Sequence, residues 1–320
     1  MTVAEIDREL DAAKAGGLEA VRVDVGWSSI ETNGKGQFSQ PYIEKADTFF
    51  AHAQARGLEV IAVLFSTPCW ASTAPSDLKQ SCSGAWWERG VTAYPPADPA
   101  DFADAAAWVA ERWGDQMRAL EIWNEPNHSL FLKGPDPAAS YASMLRAAYP
   151  RIKAAQPSLT VLGGSLVYSD GDFLRDLYDR LAIKGSHDGI AYHPYSEGRD
   201  PDDVTAAVER KYSYRLGTEW MREIMVAHGE SALGLWITET GFPTCTEGGN
   251  SWCVTPEKQA EYTVDNHRIA REWPFVEAVI TYNLRNTGTD PDSFEAQMGL
   301  LRRDLSPKPA YEALRAELGR

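Results

Sequence analysis

Two glutamates stand at the ends of apolar runs far apart in the chain. Glu125 follows Asn124 at the close of Ala119-Leu-Glu-Ile-Trp-Asn-Glu, and Glu239 closes Leu235-Trp-Ile-Thr-Glu. Parallel α/β folds gather polar residues from the carboxyl ends of their strands onto one face, so these two carboxyls can meet. Such a pair suits cleavage of a glycosidic bond, where one group protonates the leaving oxygen and the other attacks or activates water. The bland reading of both is a pair of structural carboxylates that cap helices or pair with arginine.

Other strand ends carry Arg22 and Trp27, Ser66 and Trp70, His193 and Tyr195, and Tyr282 with Asn283. Arg22 reads either as a site cation or as an interior ion pair with Asp24 or another acid. His193, set among apolar residues, reads as a site residue or as a satisfied core histidine. Trp70, the Trp86-Trp87 pair and Trp252 lie beside cysteines in loops, as sugar platforms at a cleft rim or as loop packing.

The elements that must position these residues alternate. Short apolar runs predict strands over 20–26, 58–65, 117–123, 159–163, 189–193, 233–238 and 276–282. Helical spacing fills 4–15, 42–56, 101–113, 138–155, 172–183, 218–228, 256–272 and 309–318. Strands separated by helices of this length predict a parallel sheet covered on both faces, one domain over 1–320. Seven strands and eight helices, helix first, fall one strand short of a (β/α)8 barrel. Either residues before Met1 supplied the first strand or a segment read as loop fills its place. An open doubly wound sheet would carry a glycine-rich loop after its first strand. Gly163-Gly164-Ser165 is too short for that and reads as a tight turn.

The net charge of -15 argues against nucleic acid as a partner and disfavours a polyanionic glycan. No apolar run approaches the ~20 residues of a membrane span. The eleven Trp and thirteen Tyr supply flat apolar faces suited to sugar rings, although most are expected in the core. The four cysteines form two close pairs in loops rich in Ser, Gly and Thr, and zinc would want tighter spacing with histidine partners. Local disulfides, Cys69 with Cys82 and Cys245 with Cys253, are therefore expected, which points to an extracellular or cell-envelope protein. No secretory leader opens the numbering, as though one had been removed.

As a set, Arg22, Trp123-Asn-Glu-Pro126, His193-Pro-Tyr195 and the strand-end Glu239 resemble the retaining glycoside hydrolases of clan A, which are TIM barrels. Ser66-Thr-Pro-Cys-Trp70 and Trp-Asn-Glu-Pro-Asn are most similar to family 39, with family 5 next. The resemblance implies Glu125 as acid/base and Glu239 as nucleophile. It further implies Asn124 on the sugar 2-hydroxyl, Arg22 and Tyr195 holding Glu239 ionised, and His193 touching substrate or the acid/base. With Trp27, Trp70 and Tyr282 these make the expected substrate-binding set. The family commonly presents a Trp where this chain has Tyr282-Asn283.

The function expected is double-displacement hydrolysis of a neutral polysaccharide or oligosaccharide by a monomer that needs neither metal nor other cofactor. Two alternatives stand beside it: a metal-dependent barrel hydrolase, which would want paired histidines on one strand, and a catalytically silent carbohydrate-binding barrel.

Overall fold

The computed structural model describes residues 2–205, 209–246 and 251–319. Seven parallel strands pair in chain order: β1 (Ala20–Gly26), β2 (Glu59–Phe65), β3 (Ala119–Ile122), β4 (Thr160–Val167), β5 (Gly189–His193), β6 (Gly234–Thr240) and β7 (Val276–Thr281). Apart from one-turn pieces, the helices are α1 (Val3–Ala15), α2 (Gln40–Ala55), α3 (Pro99–Trp113), α4 (Pro137–Ala155), α5 (Gly171–Asp179), α6 (Tyr214–Ala227), α7 (Pro256–Arg271) and α8 (Pro309–Leu318).

Helix starts follow local chemistry. Asp98, Asp136 and Thr255 each accept a backbone N–H of the first turn, and each is followed by proline, which has no N–H to lose there. The helices then bury one face. On α3 this is Phe102, Ala106, Val109 and Trp113; on α4 it is Tyr141, Leu145, Ala148 and Ile152.

The inside of the curled sheet is layered. Ile61, Ala119, Leu162, Ala191 and Trp236 make an apolar plug. Two residues further along the same strands the inward positions turn polar at Glu121, His193 and Thr238. A charged layer therefore sits directly above the plug and below the carboxyl ends of the strands.

Residues 163–165 are not a turn. β4 runs through them, with a register shift between Gly164 and Leu166 against β5. Gly164 has φ +92°, and a Cβ there would meet the Ala191 carbonyl at 2.6 Å, so glycine is required. The bulge leaves Ser165 at φ 55° with its side chain buried under the site.

No loop among the described residues takes the place of an eighth strand. Among the described residues β1 pairs only with β2 and β7 only with β6. Between these edges lies a groove of about 760 Å³, with α1 and α2 behind it and Arg22, Glu239 and Tyr282 at its upper end. The sheet is a seven-stranded barrel that curls without closing.

Candidate active site

Glu125 and Asn124 are neighbours in sequence, so regular strand geometry would turn them to opposite faces. The chain breaks that alternation just after β3. Trp123 and Glu125 both take positive φ, 67° and 42°, a costly conformation for residues with side chains. Flanking hydrogen bonds hold it: Trp123 N–H donates to the Leu64 carbonyl and Glu125 N–H to the Ser165 carbonyl, each at 2.8 Å. Trp123 goes into the core, while Asn124 and Glu125 join one site.

Arg22 reaches that site from β1 and uses its whole guanidinium fork. Nε donates to Glu121 Oε2 at 2.7 Å, Nη1 to Glu239 Oε1 at 2.5 Å and Nη2 to Asn124 Oδ1 at 2.8 Å. The two readings of Arg22 thus coincide, with Glu121 rather than Asp24 as the interior partner. Burial works against the charge of Arg22, but Glu121 and Glu239 outweigh it and leave the guanidinium more firmly protonated than usual.

His193 is fully buried, and its Nδ1 lies 2.9 Å from Glu125 Oε1. The same nitrogen is 3.8 Å from Glu239 Oε2, while Nε2 is 3.8 Å from Glu121 Oε1. Burial alone would favour neutral imidazole. The negative charge of Glu239, with the hydrogen bond to Glu125 and the nearby Glu121, prevails and raises the ring to about 9. The Tyr195 hydroxyl donates to Glu239 Oε2 at 2.7 Å, so the two oxygens of Glu239 are held separately by Tyr195 and Arg22.

Glu125, His193 and Glu239 bring ligand-type atoms within 4.8 Å of one another. His193 meets Glu125 there, and Arg22 and Tyr195 hold the two oxygens of Glu239.

The other expected residues divide. Trp70 is half-buried, donates from Nε1 to the Glu31 carbonyl at 2.7 Å and follows Cys69. Tyr282 is half-buried at the upper end of the groove. Trp27 has no surface to give a sugar: it is 0% exposed, its Nε1–H donates to Glu31 at 2.7 Å, and its ring packs edge-on against Trp70 and Phe102. The cause is the helical turn that begins at Trp27 immediately after β1 and rotates the indole into the core.

Disulfides join Cys69 to Cys82 and Cys245 to Cys253. The first closes the loop that carries Trp70. The second closes the loop that carries Trp252, whose ring centroid is 5.8 Å from that of Tyr195. The sequence reading did not place Glu121, Ser165 or Thr238 in the site, where the structure joins them. Glu121 left one signal, a charge inside an otherwise apolar strand.

A model of the cellulase family, glycosyl hydrolase family 5, matches residues 5–271. No curated protein matches the chain. Among solved structures, a family 39 glycoside hydrolase from the gut symbiont Bacteroides cellulosilyticus WH2 has a TM-score of 0.79 at 22% identity, over 98% of this chain and 60% of that one. The chain thus spans about three fifths of the length of that one. A GH5_18 protein from Streptomyces cattleya, in complex with Manb1-4GlcNAc, has a TM-score of 0.72 at 19% identity, over 100% of this chain and 76% of that one. The β-glucosidase of Pyrococcus furiosus has a TM-score of 0.67 at 15% identity, over 99% and 84%. At these identities the likeness is one of fold.

Proposed function

Because the chain belongs to glycosyl hydrolase family 5, the cellulases, and carries a glycosidase barrel, we propose that it hydrolyses O-glycosidic bonds of a neutral polysaccharide or oligosaccharide with retention of configuration. Glu239 is the nucleophile and Glu125 the acid/base. The observation that carries this reading is the approach of the two carboxyls, with oxygens inside the 4.8 Å cluster that also holds His193. Retaining enzymes need a separation of ~5 to 5.5 Å and inverting ones ~6.5 to 9.5 Å, to admit a water.

Glu239 attacks the anomeric carbon while Glu125 gives its proton to the leaving oxygen. The anomeric carbon to oxygen bond breaks as the bond to Glu239 forms. Glu125 then takes a proton from a water that attacks the same carbon and frees Glu239. Arg22 and Tyr195 stabilise the returning carboxylate of Glu239. The Oδ1 of Asn124 is occupied by Arg22, so its amide N–H is left to donate to the sugar 2-hydroxyl, a contact that strengthens as positive charge develops on the ring.

A net charge of -15 supports neutral over anionic glycans. Two disulfides support export to an oxidising compartment. We read 1–320 as one monomeric catalytic unit, to be checked by gel filtration. The deciding assay is reducing-sugar release from a panel of neutral β-linked and furanosidic oligosaccharides, with the anomer of the first product followed by NMR. Equal rates for the parent and Glu239→Ala would sink the hydrolase reading, and first formation of the opposite anomer would sink retention.

A further inference from the structure

One charged residue of the site lies beneath the catalytic pair. Glu121 is 0% exposed, directly above the apolar plug. A carboxylate at such depth stays ionised only if its oxygens are compensated. Here Oε2 accepts from Arg22 Nε, and Oε1 accepts from the hydroxyls of Ser165 and Thr238, all at 2.7 Å. The inner nitrogen of His193 lies 3.8 Å away.

Each of these neighbours leads to a catalytic carboxyl. Arg22 passes on to Glu239 and Asn124. The Ser165 carbonyl accepts the backbone N–H of Glu125 at 2.8 Å. Thr238 is the residue before Glu239, and His193 meets Glu125 with its other nitrogen. Glu121 joins all four routes. A guanidinium gripped only at Nη1 and Nη2 can still swing on its long side chain, whereas a third contact at Nε fixes its plane.

We propose that Glu121 is a positioning residue, a buried anion that fixes the plane of Arg22 and faces the inner edge of His193, so that one group beneath the sugar site aims both catalytic carboxyls. The inference rests on the assignment of Glu125 and Glu239 proposed above.

The test is Glu121→Gln. The amide keeps the size, but it sets an NH2 against the Nε–H of Arg22 or, flipped, against the two hydroxyls. The expected result is a kcat lower by about 100-fold, the cost of slight misplacement of reacting groups, with KM within about threefold. The alkaline limb of the kcat/KM profile should also move to lower pH. The carboxyl groups facing His193 are Glu121, Glu125, Glu239 and Asp24, and loss of one anion makes the ring easier to deprotonate.

A purely structural role would lower the active fraction and leave that limb in place. A folded Glu121→Gln enzyme with an unmoved limb, or with kcat within about threefold of the parent, overturns the inference. If that variant does not fold, Glu121→Asp keeps the charge but withdraws it from Arg22: kcat should fall with the limb unmoved, and parental kcat overturns the inference. The parent itself supplies a further readout by NMR, where both ring nitrogens of His193 should be protonated at pH 8; a neutral ring there also overturns it. A parent inactive on every glycoside would instead remove the reading of Glu125 and Glu239, while the NMR measurement would still report on the Glu121 contact.

Discussion

Arg22 Nη1 and Glu239 Oε1 stand 2.5 Å apart, with side chains only 8% and 12% exposed. A pair so shielded is costly to break, because removing one partner leaves a charge without compensation. Arg22→Met should destabilise the fold by about 3 to 5 kcal/mol in chemical denaturation. Arg22→Lys should fold but lose activity, since one ammonium point charge cannot replace three directed contacts to Glu121, Glu239 and Asn124. Initial rates on a soluble oligosaccharide check this; a lysine variant at parental rate would show that the fork geometry is dispensable.

Tyr195 tests the other oxygen of Glu239. Tyr195→Phe removes one hydroxyl donated at 2.7 Å and leaves the ring in place. A hydrogen bond to a charged acceptor contributes about 1.5 to 3 kcal/mol, so breakdown of the glycosyl-enzyme should slow roughly 10- to 100-fold. Rapid-quench measurement should show breakdown slowed more than formation, because the hydroxyl stabilises the carboxylate that departs in that step.

The two tryptophans near the start of the site should behave differently. Trp70→Ala should raise KM, its ring being half-buried beside the disulfide loop. Trp27 is wholly inside, so Trp27→Phe should leave KM unchanged and lower stability by about 1 to 3 kcal/mol through loss of its bond to Glu31. A Trp27→Phe variant with intact stability and raised KM would return Trp27 to the substrate surface.

These contrasts show what the sequence makes legible. Glu125 and Glu239 stand out because each ends an apolar run, and alternating helices and strands bring strand ends together. Trp27 misleads for the same reason: it also follows an apolar run, but a helical turn starts at it and reverses its side. Ser165 is hidden because two glycines before it look like a turn, when they permit a bulge within β4. Glu121 is hidden because its partners come from three other strands, at Arg22, Ser165 and Thr238, and local pattern does not reveal pairings across a barrel. Ser66-Thr-Pro-Cys-Trp70 and Trp-Asn-Glu-Pro-Asn point to families 39 and 5 of clan A; the match over 5–271 is to family 5, and a family 39 structure shares the fold.

Stability should fall on both sides of neutrality for opposite reasons. Burial pushes Glu121 up, but Arg22 and His193 outweigh it and hold it at about 2, against an ordinary 4.5. A depressed carboxylate adds stability that is fully present above its unfolded value and lost as pH falls toward 2. For His193, burial lowers the ring, but Glu239, Glu121 and Glu125 raise it from 6.5 to about 9. That contribution is fully present below 6.5 and lost as pH rises through 9. Urea midpoints from pH 2 to 10 should therefore show loss on both flanks; a curve that stays flat between pH 7 and 9.5 would contradict the charged state of His193.

The open edges of the sheet make a last, separate prediction. β2 buries five consecutive residues and β3 all four, whereas most of β1 and β7 is only partly buried. Each edge strand leaves half of its backbone N–H and C=O groups facing the groove rather than a partner. Amide exchange should then be fastest at the groove-facing N–H groups of β1 and β7 and slowest in β2 to β5, since protection follows local burial and pairing. The upper end of the groove is lined by Arg22, Glu239 and Tyr282, so fluctuation of these edges would reach the nucleophile. Protection of β1 and β7 equal to that of β3 would mean that the two edges are covered in solution and that the nucleophile sits in a closed barrel.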